Sequence, residues 1–128
     1  MRDGLTLSTR GEAGCAVLTV GGEIDLATAP DLAAAARSAL DEISSALVID
    51  LSEVTFLDST GLKVLLTVQK QAQSAGGGLA LAGVAGPVEK VIVVTGLTEI
   101  FTICPDVLTA VATGVAAPTG AETSPIAE

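Results

Sequence analysis

The chain has 128 residues, a length that fits one domain, and 49% of them are hydrophobic, enough for one packed core. It contains no His, Trp or Tyr, which excludes His-based acid–base catalysis, His metal sites and Ser-His-Asp triads. With 6 Lys and Arg against 15 Asp and Glu, the net charge is -9. That charge disfavours nucleic acid and anionic membrane surfaces as partners.

Targeting signals and cysteine spacing indicate the cellular compartment and the state of the thiols. No apolar signal-peptide core follows Met1, and no apolar stretch reaches the about 18 residues of a membrane-spanning helix, so we expect a cytoplasmic protein. Cys15 and Cys104 lack C-x-x-C spacing and a neighbouring His, which excludes a structural zinc site. We expect buried or half-buried free thiols, and a redox disulfide between them stays open as the alternative.

The chain opens with two short predicted strands, at residues 5–8 and 15–20, joined by a glycine-containing turn. They are expected to pair as an antiparallel hairpin, which Gly21 and Gly22 are predicted to end. A helix follows from the predicted N-cap Thr28 to residue 40 or 43, because apolar residues recur there at a period of 3.6.

The rest of the chain alternates between strands and helices. Residues 46–51 form a near-continuous apolar run typical of a buried strand, and a helix follows Asp58 until the glycines at 76–78. The remaining elements are predicted, in order, as a strand at 79–83, a helix from Gly86 to Gly96, a strand at 100–103 and a helix at 105–112. This alternation predicts one α/β domain with a mixed sheet over residues 1–112. Residues 113–128 lack long apolar side chains except Val115 and Ile126 and are predicted to be a disordered tail.

Two features suggest chemistry but favour a simpler interpretation. The glycines at 76–78 lack the Lys-Ser/Thr of a phosphate-binding loop and follow a helix, so they are predicted to cap its C-terminus. Glu23, Asp25 and Asp58 have the carboxylates needed for acid–base catalysis or a divalent cation. No His or cleft-lining aromatic residue accompanies them, so we expect no enzyme, no metal site and no cofactor.

A third feature is the segment F-L-D-S-T-G-L at residues 56–62. An apolar strand end runs through Asp58, Ser59 and Thr60 into a helix. Ser59 is predicted at or beside the N-cap, where its hydroxyl can accept a hydrogen bond from a first-turn N–H. One interpretation is that these three polar residues only cap the helix.

The sequence around this segment resembles that of bacterial anti-sigma factor antagonists, which belong to the STAS domains (sulfate transporter and anti-sigma factor antagonist). The resemblance rests on G-E-I-D-L-A-T-A-P-D-L at residues 22–32 and D-S-T-G-L at residues 58–62. It continues through G-G-G-L-A-L-A-G at 76–83 and V-V-T-G-L-T-E-I-F at 93–101, and so covers nearly the whole predicted domain. It implies a mixed central sheet with about four helices packed mainly on one face.

The resemblance also implies a function. An antagonist of this family binds an anti-sigma factor that is also a serine kinase of the GHKL ATPase type, and thereby frees the sigma factor. Phosphorylation of the serine in Asp-Ser-x-Gly abolishes binding, and a metal-dependent serine phosphatase restores it. Carried over, the phosphorylated residue is Ser59. Residues with supporting or partner-contact roles are then Glu23, Asp25, Asp58, Thr60 (also the second choice for phosphorylation), Gly61 and Lys63, the last where many relatives have a small residue.

A phosphate on Ser59 is expected to act locally. Free N–H groups and the macrodipole at a helix N-terminus favour negative charge, so the modification is not expected to melt the helix. It adds about -1.5 to -2 charges to a surface that already holds Glu23, Asp25 and Asp58, and a basic partner would lose complementarity.

Three other functions are alternatives to that of an anti-sigma factor antagonist. A STAS subunit of another assembly, such as a lipid-transport or stress-sensing complex, is compatible with the same fold. Redox control through Cys15 and Cys104 is compatible with either function. A nucleotide hydrolase finds no supporting loop in the sequence.

Overall fold

The computed structural model describes residues 4–112 of the chain. Its strands are β1 (Leu5–Glu12), β2 (Cys15–Ile24), β3 (Ala46–Leu57), β4 (Gly78–Ala82) and β5 (Thr102–Cys104). Its helices are α1 (Ala29–Glu42), α2 (Ser59–Ser74), α3 (Gly86–Val94) and α4 (Val107–Ala112). The predicted order of elements is confirmed, and the predicted tail at residues 113–128 lies outside the described residues.

The strands form one mixed sheet in the order β1-β2-β3-β4-β5. β1 and β2 pair antiparallel as the predicted hairpin, and the other neighbouring strands pair parallel. Each parallel connection moves one strand further in the same direction. Because such crossovers are almost always right-handed, α1, α2 and α3 all lie on the same face of the sheet.

Two apolar clusters cover the two faces of the sheet. The larger cluster joins the sheet to α1, α2 and α3 through buried side chains such as Leu32, Leu65 and Ile92. The smaller cluster joins Val17 and Val48 to Ala110 of α4 on the opposite face. The α/β fold with helices mainly on one face is therefore confirmed, with α4 as the helix on the other face.

The second strand is longer than predicted. Gly21 and Gly22 do not end it, because β2 continues to Ile24 beside an equally extended β3. The register with β3 shifts between Thr19 and Gly21 and again between Gly22 and Glu23, so the glycines mark irregularities within the strand. Gly22 has φ 105, and a side chain there would overlap the carbonyl of Gly4, so this position requires glycine.

The end of α2 agrees with the predicted glycine cap. The Gly76 N–H donates to the Gln73 carbonyl at 3.0 Å, and the Gly77 N–H donates to the Ala72 carbonyl at 2.9 Å. These bonds satisfy carbonyls that a helix end leaves without intrahelical partners. Within residues 4–112, no helix is both long and apolar enough to cross a membrane.

Both cysteines are buried free thiols, and the sheet keeps them apart. Cys15 begins β2 and Cys104 ends β5, with β3 and β4 between them. Three strand spacings amount to about 14 Å, whereas a disulfide requires Cα atoms within about 7 Å. A disulfide between Cys15 and Cys104 is therefore incompatible with the folded domain.

Burial also lowers the reactivity of the two thiols. It raises the pKa of Cys15, with a further contribution from Glu12, and it raises the pKa of Cys104, with a further contribution from Asp106. We expect both thiols of the native protein to react slowly with a disulfide reagent at neutral pH and rapidly once the protein is denatured. With a reagent that releases a coloured thiolate, absorbance measures the reaction rates of the native and the denatured protein. An equally fast reaction of the native protein would contradict the expectation.

Candidate functional site

The carboxyl ends of β2 and β3 bring the predicted site segments together. Ile24 and Leu57 are paired in the parallel register, and the Asp58 N–H donates to the Ile24 carbonyl at 3.1 Å. The residues that follow each strand, Asp25 and Asp58, therefore leave the sheet side by side. Two segments about thirty residues apart in the sequence thus form one surface at the carboxyl edge of the sheet.

Asp25 organises the loop between β2 and α1. Its Oδ1 accepts hydrogen bonds from the Ala27 and Thr28 N–H groups, both at 3.0 Å. The buried Thr28 hydroxyl donates to the Glu23 carbonyl at 2.8 Å and accepts from the Asp25 N–H at 2.9 Å. Thr28 is the N-cap of α1, as predicted, but its side chain makes no cap hydrogen bond because its hydroxyl bonds back to the loop instead.

Asp58, and not Ser59, caps α2 with its side chain. Its Oδ1 accepts from the Thr60 N–H at 2.9 Å and from the Gly61 N–H at 3.1 Å. The predicted acceptor role of the Ser59 hydroxyl is therefore wrong, because the aspartate one residue earlier has taken the first-turn N–H groups. Asp58 adopts the extended backbone of an N-cap, and Ser59 is the first residue of the helix.

Ser59 is consequently exposed, and its hydroxyl is not engaged. Within residues 4–112 the Ser59 hydroxyl has no hydrogen-bond partner. Thr60 is half-buried, so of the two neighbouring hydroxyls Ser59 is the more accessible. The interpretation that the three polar residues only cap the helix accounts for Asp58 and leaves Ser59 without a structural role.

Gly61 allows α2 to begin directly above the strand ends. It is buried, and a Cβ at this position would lie 2.6 Å from Leu57 Cδ1 and overlap Ile24 Cγ2. Any larger residue would push the first turn of α2 away from the sheet or displace these two core side chains. The glycine therefore fixes how closely the Ser59 segment packs on the sheet.

Two apolar residues near the site are exposed, although their spacing in the sequence does not predict this. Leu26 follows Asp25 and is 74% exposed, and Phe56 precedes the end of β3 and is 46% exposed. Glu23, which pairs with Phe56 in the sheet register, is also exposed. Phe56 is one of 2 phenylalanines in the chain, and its place inside the F-L-D-S-T-G-L segment was the available signal.

Lys63 lies one helical turn after Ser59 and is exposed. Between residues 4 and 112 it forms no ion pair, and it lines a groove between α1 and α2. The predicted site residues thus fall into two groups. Asp25, Asp58 and Gly61 shape the backbone, whereas Ser59, Lys63 and Glu23 face the solvent.

The arrangement is suited to presenting a hydroxyl rather than to catalysis. The carboxylates of Asp25 and Asp58 are each occupied by backbone N–H groups of their own segments. No group of three or more His, Cys, Asp or Glu in the described part of the chain is placed to hold a metal ion. The site therefore consists of two hydrogen-bonded segments, one of which carries the exposed side chain of Ser59.

Comparison with known proteins places these features in a family context. The sequence matches the family model of the STAS domain over residues 6–110. It is similar to the anti-sigma-F factor antagonist RsfB of Mycobacterium tuberculosis, being 45% identical over 82 residues, which are 63% of this chain and 67% of that protein. It is also similar to the anti-sigma-B factor antagonist of Listeria monocytogenes, being 36% identical over 84 residues, which are 66% of this chain and 74% of that protein.

The fold also resembles that of an anti-sigma factor antagonist of known structure. The crystal structure of an anti-sigma factor antagonist from Mycobacterium paratuberculosis matches with a TM-score of 0.80 and 32% identity, covering 90% of this chain and 97% of that one. The resemblance inferred from the sequence motifs is therefore confirmed. These relatives are named as anti-sigma factor antagonists.

The capping role of Asp58 can be tested with two substitutions. Asp58→Ala removes the acceptor for the Thr60 and Gly61 N–H groups and is expected to lower the free energy of unfolding by about 1 kcal/mol. Asp58→Asn keeps an equivalent acceptor and is expected to leave stability nearly unchanged. Urea denaturation measures both. Equal stability of the two variants would show that the side-chain cap contributes nothing.

Proposed function

Because its match to the STAS domain model over residues 6–110 makes this chain a member of the STAS domain family, we propose that it is an anti-sigma factor antagonist. It binds an anti-sigma factor and so frees the sigma factor that the anti-sigma factor holds. The names of its relatives in Mycobacterium and Listeria support this function. The place of action is the cytoplasm, where bacterial transcription occurs.

The proposed switch is phosphorylation of Ser59 by an anti-sigma factor of the serine-kinase type. The observation that carries this proposal is the exposed Ser59 hydroxyl, which has no hydrogen-bond partner in residues 4–112 and stands on a helix already capped by Asp58. A kinase can reach this hydroxyl without first breaking a bond within the domain. A serine phosphatase would reverse the modification and restore binding.

The hydrogen bonds that Asp58 accepts at the start of α2 determine how a phosphate on Ser59 would act. The Thr60 and Gly61 N–H groups already donate to Asp58, so they are not free to receive phosphate oxygens as the sequence alone suggested. The phosphate would therefore stay at the surface and add about -1.5 to -2 charges beside the exposed Glu23. Binding would be lost through bulk and unmatched charge at the contact surface, with the fold unchanged.

The proposed contact surface surrounds Ser59. Exposed apolar side chains near a modification site are suited to contribute binding energy, and two large ones are Leu26 on the loop after β2 and Phe56 near the end of β3. Glu23 and Lys63 provide charged groups around them. The carboxylates of Asp25 and Asp58 act indirectly, because they hold the loops and the helix start that carry these side chains.

Phosphorylation can be tested with the full chain, ATP, magnesium and kinase-type anti-sigma factors from the same genome. We expect one mass increase of about 80 Da, corresponding to one phosphate, that is lost in Ser59→Ala and retained in Thr60→Val. Far-UV circular dichroism is expected to stay unchanged because the switch is local. Phosphorylation at another residue would overturn the assignment of Ser59, and stable binding without phosphorylation would leave an antagonist that is controlled in another way.

The contact surface can be tested by removing its apolar groups. Leu26→Ser combined with Phe56→Ser is expected to weaken binding to the cognate anti-sigma factor at least about tenfold, because both side chains would be buried in the complex. Leu108→Ser is the control, since Leu108 is likewise a large exposed apolar residue, 72% exposed on α4, outside the segments that carry Leu26, Phe56 and Ser59. Isothermal titration calorimetry measures the affinities. Equal losses in both variants would place the contact elsewhere.

A further inference from the structure

A groove runs between the outer surfaces of α1 and α2. Its first stretch has a volume of about 450 Å³, with Ala33 and Ala34 on one wall and Val64 and Val68 on the other. A second stretch of about 430 Å³ continues towards the C-terminal ends of both helices, and Arg37 lines both stretches. The groove thus follows most of the length of the two helices and is open to solvent along its course.

The rim of this groove is positively charged. Arg37, Lys63 and Lys70 line it and make up half of the chain's 6 Lys and Arg residues. All three are exposed, and none forms an ion pair with another residue between 4 and 112. Asp41 is the acidic side chain that lines the far stretch. In a chain with a net charge of -9, this is a local concentration of unpaired cations.

The first stretch of the groove has an apolar floor of short side chains, whereas Thr67, Gln71 and Ser74 line the second stretch. Alanine and valine on facing helices allow the backbone of a third helix to approach closely. Lys63 and Lys70 are seven residues apart on α2, which corresponds to two helical turns and about 10 Å. A helix with carboxylates at the same spacing and small apolar residues between them would match both the floor and the rim.

The positions of the three cations along the groove favour an extended ligand. A small anion is bound where several donors converge on one point, whereas these three cations are distributed along the groove. Asp41 offsets part of this charge, so the three cations and one carboxylate that line the groove leave a net charge of +2. Acidic residues more than about 8 Å away are largely screened at physiological ionic strength. The local charge therefore governs what docks here.

We propose that the groove between α1 and α2 binds an acidic amphipathic helix of a partner protein. The helix lies along the groove with its apolar face on the alanines and valines, and its carboxylates pair with Arg37, Lys63 and Lys70. This surface shares Lys63 with the surface around Ser59, and Thr60, the residue after Ser59, also lines it. The groove can be tested on the unphosphorylated chain through Arg37 and Lys70, which lie outside the surface around Ser59.

The first test uses the full chain and two synthetic helical peptides at 0.15 M salt. One peptide carries leucine and alanine on one face with glutamates two turns apart, and the other carries lysines in place of the glutamates. We expect the glutamate peptide to shift amide resonances of α1 and α2 and the lysine peptide to leave them unchanged. The proposal is overturned if neither peptide binds, if both bind equally, or if the shifts lie outside these helices.

Charge reversal on the protein gives the second test. Lys70→Glu is expected to weaken binding of the glutamate peptide at least about threefold, and the double variant Arg37→Glu/Lys70→Glu at least about tenfold, with a gain for the lysine peptide. Lys90→Glu makes the same charge change on α3 outside the groove lining and is expected to have no effect. Thermal melting checks that each variant is folded.

Two outcomes of this second test contradict the proposal. Equal losses in Lys70→Glu and Lys90→Glu would mean that net charge, and not the groove, determines binding. Displacement of the peptide by inorganic phosphate at millimolar concentration, with the same resonances affected, would identify a site for free anions instead. Neither outcome bears on Ser59, because Lys70 lies three helical turns away from it.

Discussion

The pairing of Ile24 with Leu57 at the ends of β2 and β3 is the constraint on which the candidate site depends. It places the Asp58 N–H 3.1 Å from the Ile24 carbonyl, so the loop after one strand and the helix after the other begin at fixed positions. Gly61 then lets the first turn of α2 pack directly against the same two side chains. Ser59 is therefore positioned by the buried core rather than by its own interactions.

The two aspartates that follow these strands have the same physical role. Each carboxylate accepts hydrogen bonds from N–H groups two and three residues further along the chain. These bonds stabilise a tight loop in one case and a helix start in the other, and they keep both carboxylates close to the backbone. The consequence is a serine whose backbone position is fixed while its exposed hydroxyl has no hydrogen-bond partner within residues 4–112.

The order and type of the elements could be predicted because local signals are strong in this chain. Apolar runs between glycines marked the strands, and the helical period marked α1 and α2. Strand ends could not be predicted equally well. Gly21 and Gly22 stop an isolated strand by local preference, but pairing with β3 on one side and β1 on the other extends β2 through them.

The roles of single side chains were the least predictable part of the site. Thr28, Asp58 and Ser59 are all good helix caps, and only the path of the backbone decides which side chain reaches an N–H group. The exposure of Leu26 and Phe56 likewise depends on what the other elements leave uncovered. These contacts arise from tertiary packing, and a pattern of residue types does not contain them.

Lys63 connects the two surfaces of the domain. It lies four residues after Ser59, the spacing at which an anionic group and a following lysine attract each other on a helix. It also stands at the end of the α1–α2 groove nearest to Ser59. A phosphate on Ser59 would compete with the carboxylate of a docked helix for this one cation, so occupancy of the groove and modification of the serine would oppose each other. By thermodynamic linkage, a partner in the groove would then disfavour the phosphorylated form by the same factor by which the phosphate disfavours the partner.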